Sequence, residues 1–150
     1  MLRELDGEGV TLTVQDEGEG PPVLLIHGFP DSHRLWRHQV PALVAAGKRV
    51  IAPDLRGFGE SQQPNEVADY ALRHSIADML AVLDALEIER AQVVGHDWGA
   101  AVAWGLAAFA PERVERLVVL SVGHPRALAE PTMEQREKSW YMLLLSLIHI

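Results

Sequence analysis

The sequence predicts an α/β protein built on a doubly wound, mainly parallel sheet, and three observations carry that reading. Val23-Leu24-Leu25-Ile26 is apolar at every position, as a strand covered on both faces is. Between Val23 and Leu120 strand and helix patterns alternate three times, which requires right-handed crossovers. At Gly95-His96-Asp97-Trp98-Gly99 the run Ala91-Gln92-Val93-Val94 turns sharply into an alanine-rich helix over Ala100 to Ala110. In sheets of this kind the working residues lie beyond the carboxyl ends of the strands.

Taken in order, Val10-Thr11-Leu12-Thr13-Val14 alternates β-branched residues and predicts an antiparallel or edge strand. Gly18 to Pro22 is a turn, and the strand Val23–Ile26 ends at His27-Gly28-Phe29-Pro30. Asp31 or Ser32 caps a helix whose apolar face uses Leu35, Trp36, Val40, Leu43 and Val44, and which stops at Gly47. Arg49–Ala52 is the next strand and leads into Pro53-Asp54-Leu55-Arg56-Gly57-Phe58-Gly59. Leu72, Ile76, Leu80, Leu83 and Leu86 recur at helical spacing, and Val114–Leu120 is a further strand. After it the texture changes: Glu130 to Trp140 is charged with helical spacing, as the start of a cap or lid would be. The expected organisation is therefore a core over 1–125 and the beginning of a cap over 126–144.

Composition narrows the function. At 48% hydrophobic content, 150 residues bury a substantial core. The net charge of −8 argues against nucleic acid or an anionic membrane as a partner. The absence of cysteine removes disulfides and thiolate metal sites and suits a reducing compartment. The acidic start Met1-Leu2-Arg3-Glu4-Leu5-Asp6 has no apolar secretory core, and the apolar stretch from Met142 is too short to span a bilayer. A cytoplasmic location, no cofactor and no metal are expected.

Strand, glycine-flanked turn and helix together form the pattern of a nucleophile elbow, with Asp97 where a serine usually stands. The glycines let the backbone bend while neighbours crowd in, and the middle side chain stands clear above the sheet.

With these pieces assembled, the chain resembles the α/β-hydrolase superfamily, and within it the epoxide hydrolases and haloalkane dehalogenases. The resemblance rests on His27-Gly28-Phe29-Pro30, Asp54-Leu55-Arg56-Gly57-Phe58-Gly59-Glu60-Ser61, Gly95-His96-Asp97-Trp98-Gly99 and Pro111-Glu112-Arg113-Val114, in family order from Val10 to about Leu144. It implies that Asp97 is a nucleophile forming an alkyl ester, and that the backbone N–H groups of Phe29 and Trp98 form the oxyanion hole. It also implies a cis Phe29–Pro30 peptide. Epoxide hydrolases match the Phe29 position, whereas haloalkane dehalogenases commonly carry Asn or Glu there. Fluoroacetate dehalogenases share the Phe but place Arg where this chain has Trp98. Tyr141, in Ser139-Trp140-Tyr141-Met142-Leu143, resembles the first of the cap tyrosines that protonate the departing alkoxide. The reading favours epoxide hydrolysis to a diol. Its alternatives are a haloalkane dehalogenase and a non-catalytic binder of the same fold, and its partner is a small epoxide or alkyl halide.

Other residues read more plainly. Gly57-Phe58-Gly59 lacks the third glycine of a nucleotide loop, since Gln62 stands there. His33 and His38 are off the register of a helical metal pair and are expected at the surface. His27 and His96 are expected to support the oxyanion loops through hydrogen bonds, and His124 to shape the loop before Pro125. Trp36 and Trp104 are expected in the core, while the Trp98 indole could line a pocket or bind a halide. By resemblance the acid and histidine of the triad follow the cap, so the chain is expected to be an N-terminal part of a hydrolase. Leu145 to Ile150 departs from the family pattern and matches a translated sequencing-adapter end, so a non-native tail is expected there.

Overall fold

The computed structural model describes residues 1–129 and 131–142. The expected tail over 145–150, and Leu143 and Leu144 of the expected cap, lie outside the described residues. Among those described, six strands form one sheet: β1 (Leu2–Asp6), β2 (Thr11–Glu17), β3 (Pro22–Ile26), β4 (Arg49–Pro53), β5 (Ala91–His96) and β6 (Val114–Leu120). Their order is β1-β2-β4-β3-β5-β6, with β4, β3, β5 and β6 parallel and β1 and β2 antiparallel. Helices α1 (Gln39–Ala45), α2 (Leu72–Ala85) and α3 (Trp98–Phe109) make the crossovers, and α4 (Pro125–Ala129) and α5 (Met133–Lys138) follow β6. The doubly wound, mainly parallel sheet is as the sequence predicts.

The apolar run of β3 explains why the sheet is covered twice. Leu24 and Ile26 face a core with Met79, Val82 and Leu83 of α2 and Leu106 of α3. Val23 and Leu25 face the opposite side, where Trp36 and Val40 close over Val50 and Ala52. Strand alternation thus hands successive side chains to two different cores.

Two elements differ from expectation. Leu2–Asp6 forms an edge strand that the sequence pattern does not predict, from Leu2↔Gln15 to Asp6↔Thr11, so β2 is antiparallel, as one of the two expected alternatives has it, and lies inside the sheet between β1 and β4. The helix expected from residue 33 to Gly47 is two pieces, a 3₁₀ turn over His33–Trp36 and then α1. Ser32 caps the turn by accepting from the Arg34 N–H at 3.3 Å. Pro41 accounts for the break, because a proline in mid-helix lacks the N–H and collides with the carbonyl four residues back. It is tolerated where it stands, in the first turn of α1.

A buried ion pair ties the antiparallel end of the sheet to α2. Arg56 donates to both carboxylate oxygens of Asp78 (Nε at 2.7 Å, Nη2 at 2.8 Å), with the two side chains 3% and 0% exposed. Nη1 and Nη2 also donate to Asp69 O and Glu8 O, at 2.7 and 3.1 Å. Asp78 also accepts the Glu8 N–H at 2.8 Å. Every polar group of the pair thus has a directed partner, which is the condition for tolerating such burial.

Candidate active site

β5 delivers the site. Its last residue, His96, pairs with Leu120, and the chain then reverses at Asp97 with φ 53° and ψ −121° before α3 begins. A non-glycine residue in that region is strained by about 1–3 kcal/mol, and such strain collects at functional positions. Gly99 makes the reversal feasible: a Cβ there would overlap the carbonyls of Ile26 and His27, so α3 can start directly against the end of β3. Asp97 is thereby held up at the carboxyl edge of the sheet.

The loop leaving β3 meets it. The Phe29 N–H donates to Asp97 Oδ1 at 2.9 Å, joining residues 68 apart in sequence. Gly28 is required by the same approach, because a Cβ there would lie 2.6 Å from Asp97 Oδ1. The Phe29–Pro30 peptide is cis, as the resemblance implies. Phe29 packs edge-on against Phe58, with ring centroids 6.1 Å apart, and Phe58 also meets the His27 ring at 5.6 Å.

The wider comparison now has geometry to rest on. A family model described as the alpha/beta hydrolase fold matches residues 21–144. The chain belongs to the alpha/beta hydrolase fold family. Epoxide hydrolase A of Mycobacterium tuberculosis is 44% identical over 139 residues, covering 91% of this chain and 43% of that protein. Epoxide hydrolase 3 of Siraitia grosvenorii is 44% identical over 131 residues, covering 87% and 42%. Among solved structures, an epoxide hydrolase from Vigna radiata superposes with a TM-score of 0.80 at 42% identity, over 81% of this chain and 38% of that one. The chain therefore spans less than half the length of these hydrolases.

Around this hydrolase elbow the remaining candidates separate. Trp98 opens α3 with its side chain 57% exposed. Tyr141 lies in a helical stretch with Trp140 and is 51% exposed; no hydrogen bond joins it to Asp97. His124 stacks edge-on against Trp104, centroids 4.7 Å apart, and its Nδ1 accepts the Arg126 N–H at 3.1 Å, so it shapes the loop after β6. Trp36 is buried, whereas Trp104 is half-buried beneath His124 rather than in the core.

His27 supports the loop through two hydrogen bonds, one to Gly28 O and one from the Leu55 N–H. Burial pushes its pKa down from the ordinary value, more strongly than the Gly28 bond and the nearby Asp54 and Asp31 carboxylates raise it. His96 departs from expectation: its Nδ1 is buried without a partner among the described residues. Alternation along β5 puts it on the face of Gln92 and Val94. His33 also departs from expectation, being 7% exposed rather than at the surface. Its backbone N–H and its Nδ1 both donate to Asp54 Oδ1, at 2.6 and 2.8 Å.

Asp54 and Phe58 are thus site neighbours, though the sequence reading uses their motif only for the resemblance and gives them no place at the site. The signal was present in Asp54-Leu55-Arg56-Gly57-Phe58-Gly59, which follows a parallel strand adjacent to β3. Only the strand order shows that this loop lies under the one carrying Phe29.

Proposed function

We propose that the whole protein hydrolyses epoxides to diols, with Asp97 as nucleophile. The observation that carries this is the strained Asp97 with one carboxylate oxygen on the Phe29 N–H. That bond fixes which oxygen is held and leaves the other to attack an epoxide carbon. A carboxylate needs no base to act in this way. As the carbon–oxygen ester bond forms, the ring carbon–oxygen bond breaks and its electron pair goes to the ring oxygen, which takes a proton. Tyr141 is the candidate donor. Water then adds to the ester carbonyl and the negative charge moves to the carbonyl oxygen. The N–H groups of Phe29 and Trp98 are placed by sequence to receive it, a contribution typically worth 10²–10³ in rate per donor. Collapse of the intermediate releases the diol and restores the Asp97 carboxylate, and the proton that the base takes from water returns to the Tyr141 phenolate.

The second step requires a histidine held by a carboxylate. No histidine among the described residues is hydrogen-bonded to Asp97, and His27 is committed on both ring nitrogens. We assign that base to the part of the relatives' length that this chain does not span. The epoxide hydrolases among the relatives support an oxirane as substrate class.

The test is intact-mass and peptide mapping after incubation with styrene oxide. An ester adduct on Asp97 that persists in this chain and is absent in Asp97→Asn is expected, and Tyr141→Phe slows its formation by about 10²-fold. Labelling by a primary alkyl bromide but not by the epoxide would move the assignment to a dehalogenase. Labelling by neither would leave a binder.

A further inference from the structure

The loop that carries the Phe29 N–H is fastened at both ends to two consecutive residues at the exit of β4. At its start, the Leu55 N–H donates to His27 Nε2 at 2.9 Å, and His27 Nδ1 lies 2.9 Å from Gly28 O. A backbone N–H can only donate and a carbonyl can only accept, so Nε2 carries no hydrogen and Nδ1 carries one. The ring is fully buried, and the neutral form is the one these two partners demand. At the other end, the Asp54 carboxylate accepts the His33 N–H at 2.6 Å and the His33 ring at 2.8 Å. The Asp31 N–H adds a second bond to the same Gly28 carbonyl, at 3.0 Å.

The Gly28 carbonyl and the Phe29 N–H belong to one peptide plane. In a trans peptide they point in opposite directions, so fixing the carbonyl aims the N–H. Two donors fix that carbonyl from one side, and Asp97 Oδ1 receives the N–H on the other.

We propose that His27 is a positioning residue for Asp97: through Nδ1 it sets the Gly28–Phe29 peptide plane, and through Nε2 it refers that plane to Leu55, while Asp54 and His33 anchor the far end of the loop. The role of the aimed N–H in esterification rests on the function proposed above; the aiming itself does not. His27 touches no reacting atom and acts only through this peptide.

Two readouts test it on the chain as it stands. Amide exchange at Phe29 is slow in the parent and at least about tenfold faster in His27→Ala, while amides of Val93 and Val94 in β5 keep their protection. The saturating rate of Asp97 labelling by styrene oxide falls in His27→Ala, because the carboxylate loses the bond that orients it, with half-saturation within about twofold. His27→Asn places an amide N–H near the position of Nδ1 and restores both readouts better than His27→Gln, which reaches only the Leu55 N–H. A space-filling role would rank the larger Gln first. Unchanged Phe29 exchange in folded His27→Ala, or Gln restoring better than Asn, overturns the proposal. Should all variants unfold, the ¹⁵N spectrum of the parent decides: a neutral His27 protonated on Nδ1 is expected at pH 7, and the other tautomer or an imidazolium overturns it. Loss of Phe29 protection in His27→Ala, together with a parent that styrene oxide never labels, would sink the epoxide reading and leave the positioning role standing.

Discussion

At the scale of single residues, protonation sets how firmly the loops around Asp97 are held. His27 is neutral where it stands, with its pKa lowered chiefly by burial. Unfolding releases it to an ordinary value near 6.5. Below that pH the unfolded chain binds a proton that the native His27 refuses, so its contribution is complete above about 6.5 and is lost as pH falls through the lowered native value. The expected outcome is a urea midpoint that drops between pH 7 and pH 5 more steeply in the parent than in His27→Gln. Equal slopes would show that His27 is not the group responsible. Asp16 follows the acid-side rule: the Arg49 hydrogen bond lowers its pKa first and the Arg49 and Arg3 charges add to that. Its contribution is present above the ordinary carboxylate range and disappears only as pH falls through the lowered native value.

At the scale of elements, the Arg56–Asp78 pair decides how the loop after β4 is held. Breaking a buried pair by removing one partner typically costs 3–5 kcal/mol, because the other charge is left without compensation. Arg56→Leu is expected to lose about that much by urea denaturation. Combining it with Asp78→Leu restores part of the loss, and a double variant as unstable as the sum of the two singles would contradict the pairing. The elements also show what a sequence can disclose. β3 was legible because a strand buried on both faces has no polar position. The elbow was legible because glycine, aspartate and alanine there each answer a steric demand. β1 was not, since Leu2–Asp6 mixes charges into an exposed edge whose only signature is its partner. The broken helix before α1 was misjudged although Pro41 announces it. His33 was misplaced for a deeper reason: its partner, Asp54, comes close only through the pairing of β3 with β4, and no local pattern contains that pairing.

At the scale of the whole molecule, the sheet is unevenly finished. Among the described residues β6 pairs only with β5, and Val118 and Leu120 are 49% and 42% exposed. A free, apolar edge strand is a template for pairing with another copy. The chain is expected to self-associate at micromolar concentration, and Val118→Lys to raise the monomer fraction measured by sedimentation velocity. A parent that sediments as a monomer would show the edge to be harmless. The antiparallel end differs: β1 carries Arg3 and Glu4 on its edge, and Arg3 meets Asp16 at 3.2 Å.

The cradle of Asp97 joins β3 to β5, and the whole of β4 and α2 lies between them along the chain. Contacts this remote in sequence are the slow ones to form. A chain that has made only its helices and its β1–β2 hairpin has a carboxylate at position 97 but nothing to aim it. On the function proposed above, labelling of that carboxylate is therefore a clock: it starts when the centre of the sheet closes, and it times an event that helix content never sees.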